Sequence, residues 1–152
     1  MPIKKKVLRN VLLMMIIGSL FVAYYLNYNK TIQADELYPN NYQFISCFIN
    51  KRLFYKGSDA IKIDNSEVNV ILEKYHVKRA RKRSDTSDTT HILFILRVSG
   101  RPEKWPRLQV FNNGIIWVDK DDGRDTITYM VQGEQEDALY EELLEMITAT
   151  ID

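Results

Sequence analysis

The first long apolar run in the chain lies near its start, where 20 consecutive residues from Asn10 to Asn29 carry no charge. As a helix rising about 1.5 Å per residue such a run spans roughly 30 Å, the thickness of a bilayer's hydrocarbon core. Between Val11 and Leu26, VLLMMIIGSLFVAYYL holds nine Val, Leu, Ile or Phe residues. Together these are worth roughly −3 to −5 kcal/mol on an insertion scale. A buried helix of a soluble domain would show a polar face, and this run has none. Tyr24, Tyr25 and Tyr28 cluster at its far end, where amphipathic rings sit at headgroup level.

After the apolar run the periodicities are those of one α+β domain. Residues 30–41 (KTIQADELYPNN) are polar and end in turn-prone Pro39-Asn40-Asn41, so they are expected as a short stalk, with the domain at 42–152. Tyr42–Ile49 and Ala60–Ile63 are rich in β-branched and aromatic residues and are expected as strands separated by Gly57-Ser58-Asp59. Asp64-Asn65-Ser66-Glu67 has the form of a capping box, with Asp64 accepting from the N3 amide and Glu67 reaching back. Val68, Ile71, Leu72 and Tyr75 then repeat at helical spacing, predicting a helix from about Asn65 to Val77.

Past a polar break at Ser84–Thr90, HILFILRV (His91–Val98) is apolar on both faces, the mark of a central strand. Arg107–Phe111 and Ile115–Asp119 flank Asn112-Asn113-Gly114, whose Asn-Gly predicts a two-residue type I′ turn. A further turn at Asp121-Asp122-Gly123 leads to a strand at Thr126–Val131, completing an antiparallel meander. Glu134–Thr148 closes the chain as a helix with Leu139, Leu143, Met146 and Ile147 on one face and Glu141, Glu142 and Glu145 on the other. The expected architecture is an N-terminal transmembrane helix followed by an antiparallel sheet with two helices packed on one face.

Charge changes the picture because it is segregated. The chain has 21 Lys plus Arg and 20 Asp plus Glu, for a net charge of +1, yet every acid lies at or after Asp35. Lys4, Lys5, Lys6 and Arg9 precede the apolar run and only Lys30 follows it before Lys51. The positive-inside rule therefore puts residues 1–29 as a cytoplasmic tip and single-pass anchor, contacting membrane lipid through 10–29, with the C-terminal domain outside. The competing expectation is a secretory signal cut after Ala34, which would release the domain as an inhibitor or immunity-type protein. Ile32 is large for a cleavage site, and the apolar run exceeds the usual 7 to 15 residues of a signal centre. Lipidation needs a cysteine directly after the run, and the sole cysteine, Cys47, lies well beyond Leu26. One cysteine also excludes an intramolecular disulfide, and with two histidines it excludes a four-ligand Cys/His zinc site.

The basic tip and anchor, the short stalk, the capped helix ending near Tyr75, the meander carrying FNNGIIWVD and the acidic closing helix EDALYEELLEMI together resemble small exported domains of unknown function in Gram-positive bacteria, membrane-anchored or lipoprotein-like. The resemblance implies an exported α+β domain and brings no functional residue and no cofactor with it.

Lys78, Arg79, Arg81, Lys82 and Arg83 place five bases in six positions. Such a run is expected first as a solvated helix end at the negative pole of the dipole, and as the alternative suits an anionic partner, either headgroups or an envelope polymer. An outward topology argues against nucleic acid. Asp119, Asp121, Asp122 and Asp125 in DKDDGRD miss the calcium-loop order, since Gly123 at position 6 would put Val118 at position 1. His76 and His91 belong to no nucleophile pattern, and no Gly-x-Ser-x-Gly or phosphate-cradling loop is present. Cys47, among Phe44, Phe48 and Ile49, is expected as a small core residue. Trp105 in SGRPEKWPRL is expected on a loop, as a binding tip or as a lid over the sheet edge. The function expected is that of a non-catalytic, membrane-tethered accessory or binding domain that meets an envelope protein or anionic polymer, with an extracytoplasmic hydrolase as the remaining alternative.

Overall fold

The computed structural model describes residues 2–37, 42–49, 52–56, 63–80, 86, 89–98, 106–119, 125–133 and 136–149. It divides into two compact units, Met1–Lys30 and Thr31–Asp152. The first is a single helix, α1 (Pro2–Tyr28), which begins earlier than the apolar run and includes the basic tip.

The second unit is α+β, with elements β1 (Thr31–Gln33), a 3-10 helix (Ala34–Leu37), β2 (Tyr42–Ile49), β3 (Arg52–Lys56), α2 (Asn65–Leu72), β4 (His76–Arg79), β5 (His91–Val98), β6 (Arg107–Phe111), β7 (Ile115–Asp119), β8 (Thr126–Val131) and α3 (Ala138–Ala149). The strands form one antiparallel sheet in the order β1-β4-β8-β7-β6-β5-β2-β3. The meander β5-β6-β7-β8 is as expected, and β5 is internal, between β2 and β6.

Residues opposite one another in an antiparallel ladder share a face. The pairings Cys47↔Phe94↔Leu108↔Val118 and Ile49↔Ile92↔Val110↔Ile116 therefore define one face, and all eight side chains are buried. The buried residues of α2 (Val68, Ile71, Leu72) and α3 (Leu139, Tyr140, Leu143, Ile147) belong to the same hydrophobic cluster. On the other face Phe48, Leu93 and Trp117 are half-buried, and Phe111 and Ile115 are buried. Phe111 and Trp117 meet there edge to face at 4.7 Å.

Five expectations are corrected. The stalk over 30–41 is not one: Thr31–Gln33 pairs as the edge strand β1, and Ala34 (0% exposed) and Leu37 are core residues, so the folded unit starts at Thr31. The helix expected to reach Val77 ends at Leu72, because Val77 pairs with both Ile32 and Val131 and completes the sheet, which extended backbone alone can do. The strand beside β2 is Arg52–Lys56; of the expected Ala60–Ile63 only Ile63 is described, and it is buried. At Asn112-Asn113-Gly114 the Gly114 N–H donates to Phe111 O at 3.2 Å, and Val110 pairs with Ile116. The loop therefore has three residues, with Gly114 at φ +75° in the left-handed position that follows a type I turn, rather than two. The closing helix starts at Ala138, with Glu136 and Asp137 in a turn before it.

Candidate functional site

The N-terminal helix α1 is the most distinct feature of the chain. Val7–Tyr28 has a mean hydropathy of 1.9 with none of its window buried. Large apolar side chains along it, such as Met14 at 77% and Leu8 at 69%, are exposed. A run of that length and composition is long and apolar enough to cross a membrane or to act as a signal sequence. The rings of Tyr24 and Tyr28 lie 6.0 Å apart at its C-terminal end.

Of the basic run, Lys78 and Arg79 are described, and both sit on β4 rather than on the expected helix end. Successive strand residues point to opposite faces, so Lys78 shares a face with Met130, and Arg79 shares the opposite one with Tyr129. Arg79 is exposed and Lys78 half-buried. Burial pushes the Tyr129 hydroxyl above its ordinary value, and the Arg79 charge beside it pulls the other way. The ladder continues past β4, since Ala80 N–H donates to Thr128 O at 2.9 Å. Arg81, Lys82, Arg83 and Trp105 lie outside the described residues.

The position of β4 follows from its partner. Thr31 pairs with Lys78 and Gln33 with His76, so β4 runs back toward the point where the chain enters the sheet. Lys78 and Arg79 thus stand at the end of the sheet that holds Thr31, the first residue of the folded unit. Arg107, exposed at the start of β6 and opposite Asp119, lies at the same end.

The other sequence candidates are dispersed. Cys47 is fully buried, and burial pushes its thiol up to about 12, so it is a core residue and not a nucleophile at neutral pH. His76 is exposed at the start of β4, while His91 stacks at a tilt on Phe111, 5.5 Å away. Asp119 is buried at the end of β7, Asp125 is exposed before β8, and Asp121 and Asp122 lie outside the described residues. Among the described residues no three His, Cys, Asp or Glu side chains come together as a metal set.

Two polar clusters escape local sequence reasoning. Glu142 of α3 accepts from Lys74 Nζ at 2.6 Å and from the Tyr75 hydroxyl at 2.7 Å, tying the residues after α2 to α3. Those two hydrogen bonds hold the Glu142 carboxyl below its ordinary value, while burial and the Glu142 partner push Tyr75 up to about 12. At the opposite end of α2 the Tyr42 hydroxyl donates to Asn69 Oδ1, and Asn65 Nδ2 donates to Tyr42 O at 2.6 Å. Burial is the main cause that raises Tyr42 to about 12, against the Asn69 hydrogen bond. Asp64 caps α2 through the Ser66 N–H at 2.8 Å, one residue earlier than the expected N3 amide. These side chains fasten helices to strands, and the pattern that would have revealed them joins residues far apart in the chain. Between α2 and α3 an open groove of about 570 Å³ is lined by Ser66, Glu67, Val70, Ile71, Met146 and Ala149.

No protein-family model, curated protein or solved structure matches this chain.

Proposed function

We propose that the protein is a membrane-tethered extracytoplasmic domain that acts by binding, as an accessory module held at the outer surface of the membrane crossed by α1. The observation that carries this reading is the 22-residue span Val7–Tyr28, apolar and without a buried residue, joined to an independently compact α+β unit. The bases at Lys4, Lys5, Lys6 and Arg9 ahead of the span support an inward N-terminus. Retention of the span, rather than its removal after Ala34, is supported by the fold. The residues a cut would take away, Thr31–Ala34, form the edge strand and a core position.

The test is protease accessibility on intact cells together with the mass of the mature chain and alkaline carbonate extraction of the membranes. The expected result is a full-length chain that resists carbonate, with its C-terminal unit digested from outside. A chain beginning at Asp35 would establish the secreted alternative, and a full-length chain soluble without detergent would overturn both.

A further inference from the structure

We infer that Asn113-Gly114 is a modification site gated by folding: the pair closes to a cyclic imide, with loss of ammonia, only when the β6–β7 loop has opened, and the isoaspartate that results hinders return to the native sheet. This chemistry is independent of the tether proposed above. Asn113-Gly114 is the single Asn-Gly pair in the chain, and glycine has no side chain to shield the backbone nitrogen that attacks. In the reaction the Gly114 nitrogen bonds to the side-chain carbon Cγ of Asn113. The Cγ–Nδ2 bond breaks, and the amide nitrogen leaves as ammonia together with the proton that Gly114 gives up. Water then opens the imide at either of its carbonyls. Scission at Cγ leaves an aspartate. Scission at the backbone carbonyl leaves an isoaspartate, whose main chain runs on through Cβ and Cγ.

The folded loop opposes ring closure. Gly114 N–H donates to Phe111 O at 3.2 Å, closing the type I turn, and the third residue of such a turn, here Asn113, has ψ near 0°. Closure needs the Gly114 nitrogen eclipsed with Asn113 Cβ about the Cα–C bond, which is about a third of a turn away from that ψ. So large a rotation breaks the bond to Phe111 O and draws Gly114 O away from Val131 N–H, from which it accepts at 2.9 Å. Asn113 Oδ1 meanwhile accepts from Ile115 N–H at 3.4 Å, which directs the carboxamide past Gly114. Water is not what the fold withholds, since Asn113 is part-exposed. The isoaspartate does not fit where asparagine did. It adds one main-chain atom to a loop whose length sets Val110 opposite Ile116 and keeps Phe111 and Ile115 buried. The aspartate product keeps the chain length and suits a turn.

The experiment incubates the full-length protein in detergent at mildly alkaline pH, with and without guanidinium chloride. Residue 113 is followed by peptide mass mapping with electron-transfer fragmentation, which tells isoaspartate from aspartate. Conversion should be at least about tenfold slower in the folded chain, where it waits on local opening. After dilution from denaturant, isoaspartate should be depleted severalfold among the chains that resist a brief protease pulse. Asn113→Gln, which would have to close a larger ring, should refold after the same incubation as well as it does before it, and Asn113→Asp should fold like the parent. Equal conversion with and without denaturant overturns the gate. Survival of Asn113 in denaturant overturns the site itself. Isoaspartate chains that resist the protease as well as the parent overturn the consequence for refolding.

Discussion

Replacing Gly114 with alanine should cost the domain about 3 kcal/mol, the sum of three effects that the structure separates. Gly114 stands at φ +75°, its N–H donating to Phe111 O and its carbonyl accepting from Val131 N at 2.9 Å, so the β6–β7 turn and the β7–β8 ladder both depend on its backbone. An alanine in that left-handed conformation costs about 1–2 kcal/mol. The smaller freedom of the unfolded chain returns about 0.4–1 kcal/mol. The third effect is contact. A Cβ at Gly114 would lie 2.8 Å from both Cβ and O of Glu136 and 3.2 Å from its Cα. No side-chain rotation relieves a clash with a carbonyl oxygen, and the segment that would have to move leads directly into α3, whose Leu139 is fully buried. Overpacking of that kind costs about 1–3 kcal/mol. Gly114→Asn divides the terms, because asparagine visits the left-handed region far more readily yet carries the same Cβ. Urea unfolding of the full-length chain in detergent, followed by Trp fluorescence, measures both variants. Gly114→Asn should lose about half as much as Gly114→Ala. An alanine variant within about 0.5 kcal/mol of the parent would refute the close approach of the α3 lead-in, and an asparagine variant equal to the parent would leave backbone conformation as the whole effect.

Two more outcomes follow from the titratable groups. The Glu142 carboxyl is lowered in the folded chain, so its contribution is present above the ordinary carboxylate range and disappears as pH falls through the lowered value. With side chains 54% and 37% exposed in the Lys74–Glu142 pair, the size is well under 1 kcal/mol. Tyr75 is raised to about 12, so stability should hold up to the ordinary tyrosine range near 10 and fall between there and 12. In urea midpoints measured against pH, Tyr75→Phe should flatten part of the alkaline fall and Glu142→Gln should remove the acid one; unchanged profiles would count against the cluster. Cys47, fully buried with its thiol raised to about 12, should resist a thiol reagent in the folded chain and react at the rate of global unfolding, so rapid labelling in native buffer would contradict its place in the core.

How far these features could be read from the sequence depended on whether the deciding interaction was local. The meander was legible because HILFILRV and the turn residues carry their own periodicity, and Cys47 because its neighbours are apolar. The end of α2 was not. Tyr75 sits at helical spacing from Leu72 and Ile71, and what stops the helix is the demand for a strand between β1 and β8. HVKR (His76–Arg79) has one apolar residue facing the core, Val77, too weak a signal to outweigh the helical pattern before it. TIQ is shorter still, and it is a strand only because β4 offers it partners. The turn at Gly114 was displaced by one position for a related reason. Asn-Gly favours the two-residue form, but Phe111 and Ile115 are both buried, and pairing them across a three-residue loop keeps both there. For the basic run, composition revealed the charge of Lys78 and Arg79 but not their place, which is set by a pairing with Thr31.

The same pairing bears on whether the N-terminal span stays attached. A cut after Ala34 is acceptable to the sequence as a pattern of residues, but Ala34 is fully buried and donates its N–H to Tyr75 O at 2.9 Å. Gln33 donates from its side chain to Glu73 O, and Ile32 packs against the core beside Val77. Removing residues through Ala34 would expose one side of Val77 along β4 and set a charged terminus at Asp35, inside the 3-10 helix that carries the buried Leu37. A cut that spares β1 has only Asn29 and Lys30 to work in, between the end of α1 and the first paired residue. Cleavage that leaves the sheet edge whole therefore has to fall before Thr31. The edge strand ties the integrity of the domain to Thr31–Ala34, the residues that a cut after Ala34 would remove.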